Sequence, residues 1–278
     1  MKSWAASEAM ACIEVLAAVG FDATEMERWP CCGAADPLVE ENLIKMVAPF
    51  RILSRAAEMA SRLLTLCPIC HRVLRTVLLV ITRDQDKRAK LEDFCQIPAP
   101  ARLEVIHWIQ LMTRPESIQA LAHHRKLPDG WLRVMPYPGC AMLRPREVLG
   151  MDNPERPNLL ETVLSALGMD PALNSRRVEC CGGHQGMVDP EGVQRASIRI
   201  LEAARMDGCR AVITPCPLCR HNLQKANGEG AFVDAVVSAA VAAAMALGVQ
   251  QQRFLVPGDS RSLREWENLQ ALIPCPAR

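Results

Sequence analysis

Two adjacent cysteines followed by a glycine occur twice in this 278-residue chain, as Cys31, Cys32 and Gly33 and again as Cys180, Cys181 and Gly182. Neighbouring Cα atoms lie about 3.8 Å apart, whereas an unstrained disulfide wants roughly 4.4–6.8 Å, so a bond within either pair is strained. Two thiolates turned into one cavity are a more natural use of the pair, and that chemistry is metal binding. A CxxC motif follows each pair, CPIC at 67–70 and CPLC at 216–219. The interval from the second cysteine of each pair to its CxxC is 35 residues in both cases, and one shift of 149 carries all four cysteines and the glycine onto their counterparts. Upstream, LAAVGFD (16–22) matches LSALGMD (164–170) at a shift of 148. The chain is an internal duplication.

Each unit needs elements to position these thiols. An amphipathic helix (AMACIEVLAAVGF; NLLETVLSALGM) leads to the CCG loop. A longer helix follows, at 41–61 in one half and 190–207 in the other, with apolar residues at helical spacing. A short apolar strand (RLLTL; RAVIT) then ends at the CxxC, after which the pattern is helical again. Further strands are expected within 102–108 and 131–140, and the polar stretch HHRKLPDG (123–130) is the expected join. Helices alternating with short apolar strands predict an α/β fold of two pseudo-symmetric Rossmann-like halves, residues 1–127 and 128–278, each a small parallel sheet flanked by helices. In open parallel sheets, sites gather at the carboxyl ends of the strands. Both CxxC motifs are expected there, where a starting helix favours thiolate over thiol and Pro68 and Pro217 suit the first turn. Gly33, Gly182 and Gly183 are expected either to let backbone approach the site closely or to serve as ordinary turn glycines.

Composition narrows the classes. The chain is 50% apolar with a net charge of +1, and it holds a single Tyr, so neither a basic nucleic-acid stripe nor a base-stacking surface is indicated. Glu8 and Glu14 interrupt the apolar start that an export signal needs, which points to the cytoplasm. There, thirteen cysteines read as metal or redox ligands rather than bridges. The longest apolar run, 231–249, is Ala-rich and broken by Asp234, so a buried helix is expected rather than a membrane span.

Cys140, at the end of YPGC, also follows a strand, so five thiols are candidates to converge in the second half: Cys140, Cys180, Cys181, Cys216 and Cys219. Zinc is satisfied by four ligands and an ordinary four-iron cluster by four thiolates, so a fifth thiol points to a less ordinary centre. With YPGC, ECCGGH (179–184) and TPCPLC (214–219), matched by WPCCGA (29–34) and TLCPIC (65–70), the chain resembles the cysteine-rich CCG-domain family, and in particular the free-standing, two-motif form found in heterodisulfide reductase. The helices at 42–59 and 231–248 sit where that family has its own, so the resemblance covers nearly the whole chain.

That resemblance implies a noncubane [4Fe–4S] cluster on the five thiols of the C-terminal half. On Cys31, Cys32, Cys67 and Cys70 of the N-terminal half it implies a second [4Fe–4S] cluster or zinc. It implies an iron–sulfur oxidoreductase subunit that reduces a disulfide, the catalytic cysteines acting through their cluster, with electrons from a ferredoxin-type iron–sulfur subunit or a flavoprotein subunit. No ferredoxin cysteine run and no glycine-rich nucleotide fingerprint occurs in the chain, which also calls for such a partner. Counting the repeat back from Cys140 lands about nine residues before Met1, so the first half lacks the matching ligand and its strand. Either the start given is late or this half holds a four-thiolate site. The alternatives are an electron-transfer iron–sulfur subunit of a lactate- or glycolate-type dehydrogenase, and a zinc-stabilised interaction module. His184 is a candidate proton donor to a departing thiolate. His71, Arg72, Arg220 and His221 are expected on solvated helix faces, and Cys12, Cys95, Cys209 and Cys275 are expected to be thiols without a role.

Overall fold

The computed structural model describes residues 5–27, 29–33 and 43–273. The first half runs through α1 (Ala6–Ala18), α2 (Ile44–Met59), β1 (Arg62–Thr65), α3 (Pro68–Arg83), α4 (Gln85–Cys95), β2 (Glu104–His107), α5 (Trp108–Met112) and α6 (Pro115–His124). The second runs through β3 (Arg133–Pro136), α7 (Cys140–Leu143), α8 (Arg146–Leu149), α9 (Leu159–Ala166), β4 (Asp170–Pro171) and α10 (Pro190–Met206). It is completed by β5 (Ala211–Thr214), α11 (Pro217–Gly230), β6 (Ala235–Ser238), α12 (Ala239–Ala246) and α13 (Ser260–Gln270). The fold is α/β, with two small parallel sheets flanked by helices.

Among the described residues the first sheet has two strands, β1 and β2, with Thr65 opposite His107. The second has four, in the order β4-β3-β5-β6, with Thr214 opposite Ser238. The duplication is visible in the elements: α1 corresponds to α9, α2 to α10, β1 to β5, α3 to α11 and β2 to β6. Helix α4 has no counterpart between α11 and β6. It is the reason the repeat register breaks after the CxxC helix.

Both CxxC helices begin alike. Cys67 and Cys216 are extended residues (φ −98°, ψ 125° and φ −100°, ψ 113°), and Pro68 and Pro217 open the helix behind them. Proline fits that first turn because its missing N–H has no partner to lose.

The halves are packed through each other rather than side by side. Ala11, Cys12, Val15 and Leu16 of α1 lie in one apolar cluster with Ala239 to Leu247 around α12. Helix α3 packs on α7 and α8, and Arg75 donates through Nε and Nη2 to the carbonyl of Val148 at 3.4 and 3.3 Å.

Two expectations need correction. The run 231–249 is not one buried helix: Ala235–Ser238 is the edge strand β6, and only Ala239–Ala246 is helical. The β-branched Val236 and Val237 pair with β5, and the Ser238 hydroxyl then caps α12 by accepting from Ala240 N at 3.3 Å. Nor are His71 and Arg220 on solvated faces. Both are buried, His71 against the first sheet and Arg220 among carboxylates.

Candidate metal centre

In the second half, two strand ends and one loop deliver the thiols. Cys140 opens α7 after β3, Cys216 and Cys219 flank the first turn of α11 after β5, and Cys180 and Cys181 lie on the loop before α10. That loop is pinned by the only Tyr of the chain: Tyr137, fully buried beyond β3, donates its hydroxyl to the carbonyl of Glu179 at 2.7 Å. Cys140 Sγ lies 3.4 Å from Cys180 Sγ, and Cys181 Sγ lies 3.6 Å from Cys219 Sγ. Gly182 N donates to Cys180 Sγ at 3.2 Å and Asn222 Nδ2 to Cys181 Sγ at 3.7 Å.

The thiols divide into proton holders and proton losers. Cys180 is pulled down to about 5, first by the hydrogen bond from Cys140 and then by Gly182 N–H and His184. Cys181 is pulled down to about 7, chiefly by the hydrogen bond from Cys219. Cys140 and Cys219 are pushed up as the donors in these pairs, with burial adding to the effect. Cys216 hydrogen-bonds Cys219. Sulfurs so close cannot all ionise on their own, because each new thiolate raises the cost of the next. A multiply charged cationic guest removes that cost.

Among the described residues no group of three or more His, Cys, Asp or Glu side chains is arranged to hold a single metal ion. The donor set suits a polynuclear centre, in which different thiolates take different irons. Gly139 adds a cradle: its φ is +78°, and a Cβ there would stand 3.0 Å from Cys219 Sγ. This close approach was missed in the sequence, where attention falls on the glycines beside the cysteine pairs. Of those, Gly183 abuts Leu218 and Asn222 rather than sulfur, Gly182 meets Val193, and Gly33 has none of the described residues within 4 Å of its Cβ position.

In the first half Cys32 Sγ lies 3.0 Å from Cys70 Sγ. Cys70 also hydrogen-bonds Cys67, which lowers Cys67 and raises Cys70. Cys31, the neighbour of Cys32 in the chain, is exposed. Ile69, inside this CxxC, packs against the apolar cluster that contains Cys181, Cys216 and Cys219, so the two thiol groups share a wall. Cys12 is buried in the cluster around α1 and α12, Cys209 shares the apolar cluster of Cys181, Cys216 and Cys219, Cys95 shares that of Cys32, and Cys275 lies outside the described residues. His184 is exposed on the loop beside Cys180. Arg72 and His221 are half-buried.

The family model for the CCG cysteine-rich domain matches residues 134–224, the span that holds all five thiols of the second half. Over 230 residues the chain is 30% identical to the 8-methylmenaquinol:fumarate reductase membrane anchor subunit of Wolinella succinogenes, covering 80% of this chain and 78% of that protein. The chain belongs to the CCG cysteine-rich-domain family. In fold it is also similar to a crystal structure of a hypothetical protein from Helicobacter pylori, with a TM-score of 0.68 at 9% identity. That match covers 90% of this chain, which spans about half (48%) of the other. No helix among the described residues is long and apolar enough to cross a membrane, although the Wolinella CCG-family relative is named as an anchor.

Proposed function

We propose that this chain is an iron–sulfur redox subunit of a multi-subunit reductase. Its working centre is a noncubane [4Fe–4S] cluster held by Cys140, Cys180, Cys181, Cys216 and Cys219. The observation that carries the reading is the gathering of these five thiols in one largely buried place, two of them already low enough to be thiolates near neutral pH. Such a cluster supplies one-electron transfer. Cys31, Cys32, Cys67 and Cys70 hold the other centre, a [4Fe–4S] cluster or zinc. The duplicated units 1–127 and 128–278 are the two site-bearing halves, and electrons come from a ferredoxin-type or flavoprotein subunit.

Two readings of the small-molecule redox partner have support: an acceptor, or a quinol donor. The motif pattern favours a disulfide, whose reduction to two thiols takes two electrons and two protons. His184, exposed beside Cys180, is then placed to give a proton to a departing thiolate, in a cytoplasmic enzyme. The name of the Wolinella relative favours exchange with a quinol in a complex at the membrane surface.

Iron, zinc and acid-labile sulfide are measured on anaerobically purified full-length chain. About eight irons per chain are expected from two four-iron clusters, and about four if only the second half is loaded. Zinc without labile sulfide sinks the redox reading. With iron present, oxidation of the dithionite-reduced chain by a small disulfide, set against oxidation by a naphthoquinone (the quinol couple run in reverse), separates the two partners.

A further inference from the structure

Beyond Cys181 the chain turns outward. Gln185 N–H donates to Gly182 O at 2.8 Å, and the N–H groups of Val188 and Asp189 both donate to Gln185 O at 2.8 Å. Asp189 then caps α10 by accepting from Gly192 N at 2.8 Å. This hydrogen-bonded turn presents Met187 fully to solvent and Val188 at 88% exposure. They are the only consecutive pair among the large exposed apolar side chains of the described residues. The others, such as Leu173 and Met206, stand singly, and single exposed apolar residues need no explanation. A second observation comes from the duplication. The shift of 149 that superimposes the cysteines sets Leu38 and Val39, which lie outside the described residues, on Met187 and Val188. An apolar pair at this spacing past CCG is thus kept in both copies, although in the described copy it buries nothing.

We propose that Met187 and Val188 are the docking contact for the electron-donating protein subunit, which takes both side chains into an apolar pocket. The inference rests on the redox reading above and adds where the donor sits. Three features select this occupant. The tip begins at Cys180 and Cys181, so whatever covers it lies against the sulfur site, where electrons must enter. Its backbone is already ordered, which lowers the cost of binding and suits a specific protein contact. From Cys180 to Gln194 there is no Lys or Arg, while Asp189 and Glu191 flank the apolar pair; Arg195 meets Glu191 at 3.4 Å, so the balance at the tip is one uncompensated carboxylate, with no excess of basic charge. Attraction to an anionic bilayer would require the opposite charge. A second copy of the same tip would set those carboxylates against each other.

The test is the double variant Met187→Asp with Val188→Asp, in the full chain, with Leu173→Asp as a control at a separate exposed apolar site. Tagged chains are isolated from the native host, and the retained subunit is scored only if its own spectrum shows flavin or iron–sulfur clusters. Dissociation of that purified subunit is then measured. Burial of a Met and a Val predicts at least about a hundredfold weaker binding for the double variant and none for Leu173→Asp. Iron, sulfide and reduction by dithionite stay at wild-type levels, while reduction through the subunit slows in proportion. Unchanged binding overturns the proposal, as does a wild-type chain that retains no such subunit. So does a loss confined to self-association, or to binding of phosphatidylcholine–phosphatidylglycerol vesicles. A chain without iron would overturn the redox reading instead, and subunit retention would still report on the surface.

Discussion

His71 and Arg220 occupy the same place in the duplicated unit, one residue past the CxxC, and both are nearly sealed from solvent. Their surroundings differ in kind. Thr65 donates its hydroxyl to Ile106 O at 3.1 Å, so its oxygen is left to accept from His71 Nδ1 at 3.0 Å. His107, edge-on to His71, has Nε2 3.0 Å from Leu66 O and accepts from Ile109 N. Burial holds both imidazoles neutral, His71 down at about 4 and His107 at about 3. Behind the second site the support is ionic. Arg220 Nη1 meets Glu265 Oε1 at 2.7 Å and its Nη2 meets Glu8 Oε2 at 3.5 Å. Glu265 also accepts from Gln224 and from Ser238 N. Glu8 belongs to α1 and Glu265 to α13, so this one guanidinium ties the first helix of the chain, its last described helix and the CxxC helix together. The duplicated scaffold therefore keeps the thiols and changes what stands behind them, neutral on one side and charged on the other.

The sharpest way to break that contrast is to remove the central group from each half. Arg220→Met leaves two buried carboxylates without their cation, and loss of one partner of a buried ion pair costs about 3–5 kcal/mol. His71→Met removes one neutral hydrogen bond, worth about 1 kcal/mol. Urea denaturation of the two variants measures both. Equal losses would mean that the ionic cluster is no more central than the imidazole pair.

Glycine gives the next contrast. At Gly139 an alanine meets both a positive φ and Cys219 Sγ at 3.0 Å, whereas at Gly33 it meets a positive φ of +74° with none of the described residues within 4 Å. The backbone penalty alone is about 1–3 kcal/mol at Gly139, whose φ of +78° and ψ of 152° lie where essentially only glycine goes, and a positive φ costs about 1–2 kcal/mol at Gly33. Gly139→Ala is expected to lose iron from the second half as Cys219 is displaced, and Gly33→Ala to keep its metal. Full iron and sulfide in Gly139→Ala would show that the cradle is not needed.

The parts of this arrangement that were legible in the sequence are local ones. Strand, CxxC, proline and helix follow one another within a few residues, so the placement of Cys67 and Cys216 at strand ends was readable from β1, β5, Pro68 and Pro217. The repeat interval made the duplication readable as well. Burial set by distant partners was not. HR and RH after the CxxC motifs look like any polar helix face, and nothing near Arg220 announces Glu8 or Glu265. The β6–α12 run misled because an apolar stretch carries no period by which strand and helix can be told apart. Gly139 escaped notice because its contact is with a thiol on the neighbouring strand's helix.

Acidity separates the supports of the two thiol sites in sign. His107 is depressed from about 6.5 to about 3, so its neutral, buried form contributes stability above pH 6.5 that is lost as pH falls toward 3. Glu8 behaves oppositely. Burial, together with the nearby carboxylates of Glu265 and Asp259, raises it from 4.5 to about 7 against the pull of Arg220 and Ser238. Its protonated form contributes stability below pH 4.5 that is lost as pH rises toward 7. Between pH 4.5 and 6.5 the two groups therefore tilt stability in opposite directions. Glu8→Gln should make stability rise more steeply with pH in this window, and His107→Gln should make it rise less steeply or fall. Each change in slope is bounded by about 1.4 kcal/mol per pH unit, the value for one proton. Denaturation of the full chain at half-unit pH steps measures these slopes. A shift of both variants in the same direction would remove the electrostatic distinction between the supports of the two sites and leave the ionic cluster as a difference of packing alone.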